Sequence, residues 1–126
     1  MLPVMTEQIM QRYGELVIKV GLNLKEGQCL LINTGAGTYE WARAIAKAAY
    51  RAGARFVSIR IQDPWLNRSR IEDGKAEDLS FLPNFVQNES YEFLANDWAR
   101  IRIEGNEDKD ALDGVDSSKV EILNKT

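Results

Sequence analysis

The sequence predicts an α/β fold: a small sheet, parallel or mixed, with helices on both faces in a Rossmann-like three-layer sandwich. Three observations carry that expectation. Gln28–Asn33 is a short apolar run after Gly27, the pattern of a strand buried on both faces. A turn, Thr34-Gly35-Ala36-Gly37, follows it, and Tyr39–Ala52 then places Ala42, Ile45, Ala46 and Ala49 at helical spacing. Phe56–Ile61 is a second run, rich in β-branched residues. Strand, helix and strand in succession pair in parallel through a right-handed crossover.

The elements follow in order. Glu7–Val20 reads as a helix with Ile9, Tyr13, Leu16, Val17 and Val20 as its apolar stripe, Thr6 as its cap and Gly21 as its end. Thr38 is placed to cap the second helix, and Gly53 to close it in a left-handed conformation. Asp63-Pro64 breaks the chain after the second strand and opens a short helix, Trp65–Glu72, ended by Asp73-Gly74. Leu79, Leu82, Phe85 and Val86 share a helical face that Pro83 interrupts, unless a helix starts near Leu82 with Pro83 in its first turn. Trp98–Ile103 alternates apolar and basic residues, as a third strand exposed on one side would. Asp116-Ser117-Ser118 caps a last helix carrying Val120, Ile122 and Leu123. That helix has no stop signal before Thr126, so the chain reads as a single α/β domain, 1–126, an N-terminal domain fragment cut in its last helix.

Composition narrows the function classes. The 126 residues suit one domain, with 44% hydrophobic and 28% charged residues. No apolar run approaches the ~20 residues of a membrane span, and the start lacks the pattern of a secretory signal. A single cysteine, Cys29, fits a reducing cytoplasm and reads as a small core residue. A net charge of −3 argues against non-specific nucleic-acid binding. The charge is uneven. Arg43, Lys47 and Arg51 form one helical stripe, read as a solvated face that complements the helix dipole, while Glu104–Asp116 is acid-rich.

Candidate chemistry is sparse. The sequence contains no histidine, so Cys29, Ser58, Ser69 and Ser80 lack the usual activating base. Gly35-Ala36-Gly37 occupies the place of a phosphate-binding loop, but Glu40 stands where the third fingerprint glycine would be, and no Gly-Lys-Ser/Thr follows. Asp63 and Glu40 could share the carboxyl edge of the sheet as an acid pair or a cation site, or serve only as turn residues. Glu104–Asp110 is acidic without the ligand order of a calcium loop. Trp41, Trp65 and Trp98 are expected to pack or to face a partner.

Three segments in order resemble a family. Leu16–Gln28 (LVIKVGLNLKEGQ) is similar to the opening of the thermophilic-type metalloaminopeptidases, the aminopeptidase T and aminopeptidase S group. Ala42–Ala54 (ARAIAKAAYRAGA) resembles their next helix, and Ala99–Asp108 (ARIRIEGNED) with Leu112–Asp116 (LDGVD) their third-strand exit. The resemblance implies a parent hydrolase that removes N-terminal amino acids from peptides by metal-activated water. It implies two divalent ions, of zinc or cobalt type, held by glutamates, histidines and an aspartate in a large C-terminal catalytic domain. No catalytic, cofactor-binding or metal-binding residue is therefore assigned in this chain, which is expected to be inactive alone. The implied partners are its own catalytic domain, a second copy in a homodimer and the parent's peptide substrate, in the cytoplasm, with neither nucleic acid nor membrane. The alternatives are a small nucleotide- or phosphate-binding module using Thr34–Thr38, and an interaction domain presenting Trp65 and the basic face.

Overall fold

Helix α1 (Val4–Leu16) continues in wider π-type turns over Val17–Leu22 and stops at Asn23, whose left-handed φ of 51° an asparagine tolerates. The structure, a computed structural model, describes residues 4–104 and 110–125. Strand β1 (Cys29–Thr34), helix α2 (Tyr39–Arg51) and strand β2 (Phe56–Ile61) come next. Helices α3 (Pro64–Asp73) and α4 (Asn84–Ala95), strand β3 (Ala99–Arg102) and helix α5 (Ser117–Lys125) complete the order. Among the described residues the sheet has the order β2-β1-β3, and both pairings are parallel. Leu30 stands opposite Val57 on one side and Ala99 on the other.

The central strand is buried as its apolar run demands. Leu30, Leu31, Ile32 and Thr34 are buried, and each buried Leu or Ile is worth about 2 kcal/mol. Helix α2 lays Ala42, Ile45, Ala48 and Ala49 into the same core, joined there by Ile18. Both outer strands are only half-buried, and Phe56 and Ile61 at the ends of β2 are more than half exposed. The return from α2 to β2 uses Gly53 at φ 98°, where an added Cβ would meet the Glu26 side chain at 2.8 Å.

Helix α1 turns a different face inward from the one its bulky residues suggest. Met10, Gly14 and Ile18 are buried and Val17 is half-buried against the core, while Ile9, Leu16 and Val20 are more than half exposed and Tyr13 is exposed. Close approach to α2 decides this: the Gly14 backbone lies against Ala44, where no side chain fits. Val4 and Met5 are already helical, so Thr6 lies inside the helix and does not cap it.

The chain forms two compact units, residues 1–62 with 94–104, and residues 63–93 with 105–126. The first holds the sheet, α1 and α2. In the second, Asp63 Oδ1 accepts from Trp65 N (3.0 Å) and Leu66 N (3.3 Å), and Pro64 opens α3. Two arginines of α3 organise the rest of that unit. Arg70 Nη2 donates to the carbonyls of Asp78, Leu79 and Phe81, and Arg68 Nη1 to those of Ala111 and Asp113. Among the described residues Ile71, Leu79 and Ala111 are its buried apolar side chains. Pro83 precedes α4, and its carbonyl accepts from Val86 N and Gln87 N.

Candidate functional site

The chain passes from β1 to β2 on one side and later places β3 on the other side of β1, so the strand order reverses between β1 and β3. Open parallel sheets bind ligands outside the carboxyl ends of strands at such a reversal. Here that edge carries Asn33, Thr34 and Gly35 from β1, Gln62 after β2, and Arg102 and Glu104 from β3. Its polar groups are spent on one another. Thr34 Oγ1 and Thr38 Oγ1 are 2.7 Å apart, and Thr34 also donates to the Gly35 carbonyl at 3.0 Å. Gln62 Nε2 donates to Asn33 Oδ1 at 3.1 Å, and Arg102 pairs with Glu104 at 3.2 Å. Ala36–Thr38 is one tight 3₁₀ turn; Thr38 precedes α2 but its hydroxyl makes no cap bond to the helix. Glu40 lies exposed in the first turn of α2.

The other residues singled out by sequence have structural employment. Asp63 caps α3. Cys29 opens β1 half-buried. Trp41 stacks edge-on against Tyr13 at 5.1 Å, Trp98 meets Phe56 at 6.1 Å, and Trp65 is 48% exposed on α3. Ser69 donates to the Trp65 carbonyl. The acidic segment is described only at Glu104 and from Asp110 onward; the rest of Glu104–Asp110 lies outside the described residues. Among the described residues no three of Cys, Asp and Glu converge, so a divalent metal finds no fitting donor set there and no step is derived through one.

The basic stripe is the feature the sequence saw in part. Arg43, Lys47 and Arg51 form one wall of a groove of about 470 Å³ between α1 and α2. Glu7, Met10 and Gln11 come from α1, and Glu40, Ala44 and Ala48 complete it from α2. The Arg43 guanidinium also lies 4.9 Å from the Tyr39 ring centre. Four-residue spacing revealed the stripe; the opposite wall was hidden because the packed face of α1 follows a glycine, not the bulky residues.

A parallel sheet with a glycine turn and helix after its central strand defines the class, an α/β domain with an open parallel sheet. The chain belongs to the thermophilic metalloprotease (M29) family, whose model matches residues 6–126. It is 31% identical to aminopeptidase 2 of Geobacillus stearothermophilus over 95% of this chain and 29% of that protein. It is 27% identical to aminopeptidase AmpS of Bacillus subtilis (strain 168) over 94% of this chain and 28% of that one. The solved structure of wild-type AmpT from Thermus thermophilus superposes with a TM-score of 0.79 at 28% identity, over 94% of this chain and 30% of that one. The chain thus spans less than a third of the length of these relatives.

Proposed function

We propose that these residues are the non-catalytic N-terminal α/β domain of a metal-dependent aminopeptidase. The parent releases N-terminal amino acids from peptides, using two divalent ions held by residues outside this chain. One observation carries the reading: the family match runs from residue 6 to residue 126, yet it accounts for under a third of each relative. The absence of histidine from the sequence supports it, because hydrolytic zinc sites draw heavily on imidazole. Assembly as a homodimer and a cytoplasmic location belong to the same reading.

A chimera tests it. Replacing the matched segment of Thermus thermophilus aminopeptidase T with this chain should give a folded enzyme that releases leucine from a leucyl reporter when cobalt or zinc is supplied. The 126-residue chain alone should release none under the same conditions. Metal-dependent turnover by the isolated chain would overturn the reading.

A further inference from the structure

The groove between α1 and α2 is polarised along its length. The two helices run in the same direction, since Tyr13 meets Trp41, Gly14 meets Ala44, and Lys19 shares a smaller cavity of about 220 Å³ with Arg51. Glu7 and Glu40 therefore belong to the end where both helices start. Lys19, Lys47 and Arg51, against the single acid Glu15, belong to the other, and Ala48 and Arg51 line both cavities. Between the charged ends Arg43 stands on the α2 wall, its guanidinium 4.9 Å from the Tyr39 ring centre, and the floor is apolar: Met10, Ala44 and Ala48. Among the described residues Glu7, Glu40, Lys47 and Arg51 have no ion-pair partner within the chain.

We infer that this groove is a binding site for a short peptide with free termini, its ammonium group toward Glu7 and Glu40 and its carboxylate toward Lys47 and Arg51. Length agrees with that occupant. Along α2, Glu40 stands about 10 Å from Lys47 and about 16 Å from Arg51 at the helical rise. An extended peptide advances about 3.3–3.6 Å per residue, so about three to five residues span the charged ends. At neutral pH both peptide termini are predominantly charged. A polyphosphate or nucleic-acid backbone would meet the two glutamates as repulsion and would leave the apolar floor unused. The choice of a peptide rests on the aminopeptidase reading; the polarity of the groove does not.

The test follows backbone amide resonances of the ¹⁵N-labelled 126-residue chain during titration with the tetrapeptide alanyl-leucyl-leucyl-alanine. Saturable shifts should centre on Met10, Gln11, Ala44 and Ala48. Acetylating the amino end or amidating the carboxyl end should each weaken binding about two- to fivefold, the scale of one solvent-exposed charge pair. Arg51→Gln should weaken the free peptide but leave affinity for the amidated one unchanged. Glu40→Gln should do the same for the acetylated one. Both side chains are solvent-exposed, and the variant spectra report folding directly. Equal affinity for free and doubly blocked peptides, tighter binding of a doubly blocked acidic peptide, shifts away from the groove, or no saturation in the millimolar range would each overturn the inference. Hydrolysis is not measured, so failure here leaves the chimera's result standing, and the reverse holds too.

Discussion

Gly14 lies with its backbone against that of Ala44: a Cβ on Gly14 would lie 2.6 Å from the Ala44 carbonyl oxygen. Backbone against backbone leaves no flexible atom to move aside. Gly14→Ala gains about 1 kcal/mol of helix propensity but must push the helices apart, which costs about 1–3 kcal/mol. The variant should therefore be less stable than the parent in urea unfolding. Gly21 provides the contrast, because nothing lies within 4 Å of its Cβ position. Gly21→Ala should be neutral or stabilise by up to about 1 kcal/mol. A stabilised Gly14→Ala would show that the helices do not pack through this glycine.

That contact also explains what could be read from the residues in advance. Leu30, Leu31 and Ile32 announced a strand covered on both faces, and Gly53 announced a left-handed helix end, because both are local consequences of side-chain type. The inward face of α1 is not local. Ile9, Tyr13, Leu16 and Val20 are the best apolar periodicity in the helix, yet the buried line is Met10, Gly14 and Ile18. Periodicity weighs bulk, whereas helix pairing here needs a residue with no side chain. The polarised groove was illegible for the same reason, since its α1 wall follows from that packing. Residue type alone leaves Asp63 and Glu40 as either an acid pair or turn residues; Asp63 is committed to its own helix.

The hydroxyl pair of Thr34 and Thr38 fastens the turn at the carboxyl edge of the sheet. Thr34 is 1% exposed, and its hydroxyl has both Thr38 and the Gly35 carbonyl as partners. Thr34→Val removes both bonds at constant shape and should cost about 1–2 kcal/mol. Thr38→Ala leaves the Thr34 hydroxyl bonded to Gly35 and should cost less. In a double-mutant cycle the two should couple by about 0.5–1 kcal/mol. Strict additivity in denaturant melts would show that the hydroxyl contact does not contribute to stability.

Arg70 holds the carbonyl groups of Asp78, Leu79 and Phe81, at 3.1–3.2 Å from one guanidinium nitrogen. Arg70→Met keeps the aliphatic stem and removes the donors, so the segment from Asp78 to Phe81 should loosen. Hydrogen exchange should speed up at Leu79, whose side chain is fully buried, with a stability loss of about 1–3 kcal/mol. Arg70→Lys should recover only part of it, because the ammonium sits on a shorter side chain and does not reach the place of Nη2. Full recovery by lysine would assign the effect to charge instead of geometry.

Asp116 makes the start of α5 sensitive to acid. Its Oδ1 accepts from the Ser118 hydroxyl at 2.6 Å and from the Ser118 backbone N–H at 2.9 Å. The hydroxyl bond, then the backbone bond, holds the carboxyl below its ordinary value of 3.8. Folding thus favours the charged form, so the stabilisation is present above 3.8 and disappears as pH falls through the lowered folded-state value. Amide protection over Ser117–Lys125 should fall on acidification below 3.8, whereas Asp116→Asn, which still caps but cannot titrate, should show a flat profile there. Ser118→Ala removes the leading cause and should move the Asp116 carboxyl back toward 3.8, read from its ¹³C titration. An unmoved titration in Ser118→Ala would mean that the hydroxyl is not what lowers it.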